Sequence, residues 1–143
     1  TIRVHHTPGH ARGHLCFELE EHRALIGADL ISTLSTIVVD PPEGNMHAYL
    51  DSLERMAAMD FKVLLPSHGP VTLQPRALLE KTIAHRLGRE AKVKAAYDRG
   101  LTTAQSMVAE VYADVPSAMH PVACRQIEAH LERLRRLGSL VGT

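Results

Sequence analysis

Polar and apolar side chains alternate from the first residue: Thr1-Ile2-Arg3-Val4-His5 has the two-residue period of a strand until Pro8-Gly9 breaks it. The alternation returns in His14-Leu15-Cys16-Phe17-Glu18-Leu19. A hairpin turn over residues 20–23 then leads into an apolar stretch, Ala24-Leu25-Ile26-Gly27, which predicts a third strand ending at Asp29. Residues 30–44 read as irregular, with a β-branched run, Thr36-Ile37-Val38-Val39, and a break at Asp40-Pro41-Pro42-Glu43-Gly44. From Met46 the period lengthens. Leu50, Leu53, Met56 and Ala57 share one helical face, predicting a helix to about Met59. Val63-Leu64-Leu65 is wholly apolar, the pattern of a strand buried on both faces, and it is expected to stop at Pro66-Ser67-His68-Gly69-Pro70.

Beyond residue 75 only helical periods remain. Leu79, Ile83 and Leu87 predict one face of a long helix to about Asp98, with Gly100 as its stop. Thr102 to Gln105 has the spacing of a capping box ahead of a short helix through Met107, Val108, Val111 and Tyr112. After Asp114-Val115-Pro116-Ser117, a third helix carries Cys124, Ile127, Leu131 and Leu134 on one face. Gly138 should end it, and Leu140-Val141 has the character of a strand start. Three helices followed by a strand is the order of a winged helix. The expected architecture is therefore α/β over residues 1–75, followed by a helical winged-helix-type segment over residues 76–143.

Charge follows that division. Residues 1–85 hold seven Lys or Arg against ten Asp or Glu, whereas residues 86–143 hold nine against six. The whole chain balances sixteen against sixteen, which argues against a strongly electrostatic binder of nucleic acid or membrane surfaces. Five aromatic residues and no Trp leave little material for base stacking. Cys16 and Cys124 form no CxxC, so neither a disulfide framework nor a cysteine-rich zinc site is suggested. No apolar run reaches the roughly 18–20 residues of a membrane span, and a cytoplasmic protein is the default expectation. The composition departs from the ordinary in one respect: ten histidines in 143 residues.

Four acid or imidazole side chains, His10, His14, Asp29 and His68, sit at the ends of strand-like runs beside Gly and Pro. Imidazole and carboxylate ligands on rigid strand ends, with small neighbours that let an ion approach, suit zinc, and manganese or iron as well. Taken singly, each has an ordinary structural role as the stronger reading, a hydrogen-bonded His or a turn-forming Asp. The joint pattern changes the balance.

His6-Thr7-Pro8-Gly9-His10-Ala11-Arg12-Gly13-His14, then Gly27-Ala28-Asp29, then Pro66-Ser67-His68-Gly69-Pro70 resemble the metallo-β-lactamase superfamily. They are similar to its third, fourth and fifth metal-binding motifs, written HTPGHTxGH, a strand ending in GD, and PGHGP in glyoxalase II-like hydrolases. By that resemblance His10 would ligate a first metal, Asp29 would bridge two and serve catalysis, and His68 would ligate the second. His14 would support the loop. Asp40 to Gly44, the helix around Tyr49 and Glu54, and His85-Arg86 with Arg89-Glu90 further resemble the group around β-lactamase-like protein 2, whose lactamase fold is followed by a winged-helix-type segment.

The superfamily's HxHxDH motif is absent from these 143 residues. The resemblance thus implies the C-terminal half of an αββα lactamase-like fold plus its winged helix. That leaves His10 and Asp29 for one metal and Asp29 and His68 for the other, where catalytic zinc normally takes three protein ligands. The expectation is a zinc-dependent hydrolase of esters, thioesters, lactams or phosphodiesters, RNA included, in a longer parent with two zinc ions. The piece itself is expected to bind metal weakly or not at all and to be inactive. Its exposed core surface makes a second copy a candidate partner. The alternative reading is a winged-helix module for nucleic acid or a partner protein, although Glu128 and Glu132 dilute the basic face of Arg125, Arg133, Arg135 and Arg136 and argue against DNA.

Overall fold

The computed structural model describes residues 1–140. Its strands are β1 (Ile2–His6), β2 (Leu15–Leu19), β3 (Ala24–Ser32) and β4 (Val63–His68). Its helices are α1 (Met46–Ala57), α2 (Pro75–Asp98), α3 (Ala104–Val111) and α4 (His120–Arg136), with single helical turns at Glu20–His22 and Ser117–Met119. The strands form one sheet in sequence order. β1, β2 and β3 run antiparallel, and β4 joins parallel to β3 after the crossover through α1.

The sheet is apolar on both faces and covered on one. Cys16, Leu25 and Leu64 are fully buried beneath the helices, with Leu50, Leu53 and Leu79 in the same cluster. On the opposite face Val4, Phe17, Ile26 and Leu65 stand in register across the four strands, and Ile2, Val4, Leu15 and Ile26 are exposed. An open sheet face is ordinarily polar. This one has the composition of an interior.

One strand outruns its sequence pattern. β3 does not end at Asp29 but continues to Ser32, because a register irregularity after Ile26, with Ala28 at φ +45°, lets the strand bend and go on. β4 ends at His68, within the Pro66–Pro70 stretch where it is expected to stop, but of its three apolar residues only Leu64 is fully buried. It is the last strand of the sheet, where a residue without an N–H is tolerated. Its outer edge is also occupied: the Leu64 and Thr72 backbones exchange two hydrogen bonds of 3.0 Å each.

The helices form a second cluster from Val93, Met107, Val111, Ile127, Leu131 and Leu134, while Ala129 of α4 reaches back into the first. The N-cap of α3 is Thr103, with the capping box closed by Ser106, one residue later than the Thr102–Gln105 spacing predicts; the Thr103 hydroxyl accepts from the Ser106 N–H at 3.2 Å. In α2, Leu87 is exposed, contrary to the expected stripe. Steps of four from Leu79 drift off a 3.6-residue period, and the buried line runs instead through Arg86, Glu90 and Val93. Val141, half of the anticipated strand start, lies outside the described residues.

Buried charge fills the middle of α2. Arg86, 1% exposed, donates to Gln126 Oε1 of α4 at 3.0 Å and to the Ile37 carbonyl, and lies 5.1 Å over the Tyr49 ring of α1. Gln126 in turn donates to the Val39 carbonyl at 3.0 Å. One turn on, Arg89 bonds the Val111 carbonyl and Asp114 and stacks on Tyr112, holding the Asp114 carboxyl down at about 2. Glu90 takes both Arg133 and, at 3.2 Å, His130 Nδ1.

Replacing Arg86 by Ala is expected to cost about 3 kcal/mol in urea denaturation, since it empties a core position, strands the Ile37 carbonyl and leaves Gln126 with its Val39 bonds alone. Burial, the leading cause, also lowers the pKa of His130, His85 and His14 below the ordinary 6.5. The unfolded chain therefore takes up these protons first. Stability should be full above about pH 7 and fall as pH drops through 6 towards 5, and His130→Gln should flatten part of that slope in pH-dependent denaturation curves.

Candidate functional site

The turn that carries His10 is fixed against α1. Asn45 caps that helix, its side chain accepting from the Ala48 N–H at 2.9 Å, and its own N–H donates to the Gly9 carbonyl at 2.7 Å. Ser52 donates to the Pro8 carbonyl at 2.8 Å. Gly9 has φ +140°, and a Cβ there would lie 2.2 Å from Tyr49 Cα. Only glycine meets both demands.

That anchoring aims the imidazoles. His10 donates from Nδ1 to the Val38 carbonyl at 2.7 Å, which fixes its tautomer and leaves Nε2 as the free lone pair. His14 Nδ1 lies 2.8 Å from the Thr7 hydroxyl, and its ring sits edge-on to His10 with centroids 6.4 Å apart. Burial first, then the neighbouring His10, pushes the His14 pKa down, while Asp29 opposes the shift. A neutral His14 is the result near pH 7.

Asp29 arrives from β3 just past the bend at Ala28, and His68 from the end of β4. Their register is held where the His68 carbonyl accepts from the Thr33 N–H at 3.2 Å and from the Ser32 hydroxyl at 3.3 Å. His68 Nε2 stands 3.2 Å from Asp29 Oδ1, within ion-pair distance but poorly aligned for a hydrogen bond. Asp29 Oδ1 consequently has no hydrogen-bond partner although it is closed to solvent, and His14 Nε2 is in the same condition. Buried polar atoms seldom go unpaired.

The structure therefore brings His68 to Asp29 and His10 to His14. Among the described residues no three His, Cys, Asp or Glu side chains converge on one point. An orphaned carboxylate oxygen, an orphaned imidazole nitrogen and a second imidazole fixed from behind suit contributors to a metal centre. They do not complete one, since a catalytic zinc takes three protein ligands.

Two further features lie outside the sequence reading. Val38, the partner of His10, sits on the same loop that Arg86 and Gln126 hold, so the winged-helix segment is two contacts from the site. The basic face of α4 is also partly spent: Arg125 is paired with Asp40 at 2.6 Å and Glu128 at 2.7 Å, and Arg133 with Glu90. No described helix is long and apolar enough to cross a membrane.

Gly9→Ala should cost at least about 2 kcal/mol, through its positive φ and the collision with Tyr49. The His10 ring signals should shift in NMR spectra of any folded fraction.

Comparison with known proteins identifies the family. Residues 1–68 match the family model of the metallo-beta-lactamase superfamily, and residues 103–141 that of the beta-lactamase associated winged helix domain. A beta-lactamase-like protein 2 homolog of Caenorhabditis elegans is 30% identical over 139 residues, covering 96% of this chain and 46% of that protein. An atrochrysone carboxyl ACP thioesterase of Aspergillus chevalieri is 35% identical over 124 residues, covering 81% of this chain and 39% of the relative. A solved beta-lactamase domain protein from Burkholderia ambifaria superposes with a TM-score of 0.85 at 27% identity, covering 99% of this chain and 44% of that one. The chain thus spans less than half the length of these relatives. It carries a segment of the hydrolase-type metallo-β-lactamase superfamily followed by that family's associated winged helix domain.

Proposed function

We propose that the chain contributes His10, Asp29 and His68 to the two-zinc centre of an ester or thioester hydrolase, and that these 143 residues alone hold zinc weakly and turn nothing over. The observation that carries the reading is the buried, unpartnered Asp29 Oδ1 with His68 Nε2 3.2 Å away. A carboxylate oxygen closed to solvent and without a hydrogen-bond partner, with an imidazole nitrogen 3.2 Å away, favours a cation beside it.

Each residue has a role in that centre. Asp29, at the bend of β3, would serve both ions and orient the attacking water. His10, its ring fixed by the Val38 carbonyl, would hold one ion and His68 the other. His14, neutral and held by Thr7, would keep the His10 turn in place. The metal would supply Lewis acidity and a water acidified towards neutral pH.

An acyl substrate is favoured over RNA by two observations. One relative is named as a thioesterase, and two of the four arginines named on α4 are consumed by internal carboxylates. The same pairing weighs against a nucleic-acid module, which needs free cations to displace counterions.

In the longer parent protein, Asp29→Ala should abolish chelator-sensitive thioester hydrolysis. Retention of more than a few per cent of the rate would overturn the assignment. Native mass spectra of the 143-residue chain with added zinc should show mostly metal-free protein. Two zinc ions retained per chain would mean that the site is complete in these residues, or completed by a second copy.

A further inference from the structure

A chain of polar side-chain atoms runs behind the turn that carries His10 and His14. Cys16 Sγ lies 3.4 Å from the Gly27 carbonyl oxygen, and Thr7 Oγ1 lies 3.3 Å from Cys16 Sγ. His14 Nδ1 lies 2.8 Å from the same Thr7 oxygen. Cys16 is fully buried and Thr7 is 1% exposed, so the links are closed to bulk solvent. The chain starts on β3 two residues before Asp29 and ends on the imidazole whose Nε2 is buried and unpartnered.

The hydrogen bonds have a direction. A carbonyl oxygen only accepts, so the single thiol hydrogen of Cys16 goes to Gly27. The sulfur then accepts the single hydroxyl hydrogen of Thr7, which leaves Thr7 Oγ1 to accept from His14 Nδ1–H. In the opposite direction Thr7 would donate to Nδ1, and the proton of a neutral His14 would sit on Nε2. No partner stands within hydrogen-bonding reach of that atom. An N–H stranded there would carry its full desolvation cost, whereas a lone pair stays open to a cation.

We propose that Thr7 and Cys16 are positioning residues: they hold His14 with its proton on Nδ1, so that its Nε2 has no hydrogen to give to the Asp29 carboxylate. Asp29 is near enough for its charge to act on the ring. A proton on Nε2 would compete for the carboxylate oxygen that a cation needs, and the tautomer set from behind removes that competitor. His10 reaches the same state by donating from Nδ1 to the Val38 carbonyl. Both imidazoles of the turn thus carry the same tautomer, one fixed by a carbonyl directly and the other through two side chains that end on one. The role in a metal centre rests on the function proposed above; the tautomer itself does not.

Nitrogen-15 NMR of the metal-free chain near pH 7, correlating the ring nitrogens with the carbon-bound ring protons, tests the tautomer. His14 should show a protonated Nδ1 and an unprotonated Nε2. Cys16→Ala frees the Thr7 hydroxyl hydrogen to turn to Nδ1 and should move the ring proton to Nε2. Thr7→Ser should keep the wild-type signature. A purely packing role for Cys16 would leave the tautomer unchanged, and that result in a folded Cys16→Ala variant would overturn the proposal. A protonated Nε2 in the wild-type chain would overturn it whether or not any variant folds. In the longer parent protein, competition with a chelator should show zinc held about tenfold more weakly in Cys16→Ala and as tightly as wild type in Thr7→Ser. Equal zinc affinity in Cys16→Ala would overturn the positioning role. A parent that binds no zinc would overturn the metal-centre reading and the positioning role with it, while the tautomer would still stand or fall on the NMR signature.

Discussion

The guanidinium of Arg86 joins the two packed layers of the molecule. Besides it, the sheet with α1 and the three-helix cluster meet through Leu79 of α2, Ala129 of α4, and the bonds of Arg125 and Gln126 to the loop at residues 39–41. With it, a loop carbonyl, an α4 side chain and an α1 ring share one planar donor. Aliphatic contacts tolerate sliding, but a fork of N–H groups does not. The arginine therefore sets the register between the layers, and the loop at residues 37–39 is held in place although it belongs to no strand or helix.

The site inherits its geometry from that arrangement. Tyr49 lies under Arg86 on one side and against Gly9 on the other, and its hydroxyl donates to the Leu30 carbonyl at 2.8 Å, one residue past Asp29. One side chain thus borders the His10 turn, the Asp29 bend and the arginine. The imidazoles and the carboxylate sit at backbone irregularities, a glycine at positive φ and a bend at Ala28, because regular strands would direct them along the sheet normals.

Much of this is legible in the sequence. Alternation in residues 1–19, the apolar runs of β3 and β4 and the helical spacing after Met46 follow directly from what a strand and a helix bury, and they place the four strands and four helices, but not the single helical turns at Glu20–His22 and Ser117–Met119. The end of β3 is not legible, since a bend is a property of the sheet rather than of the residues at which the pattern stops. The motifs around His10, Asp29 and His68 single out the candidate donors by residue type and order. Their orphaned atoms and the rear support from Val38 depend on contacts 28 or more residues apart. Arg86 is hidden for a related reason: a charged residue on a helix reads as solvent-facing, and only the packed tertiary arrangement shows it in the core.

The bridge between Leu64 and Thr72 bears on how the sheet can grow. With β4 engaged by Thr72 and interrupted by Pro66, its outer edge offers no continuous ladder of donors and acceptors to an incoming chain. The outer edge of β1, from Ile2 to His6, has neither obstruction among the described residues. The sheet is consequently closed to further pairing on its β4 side.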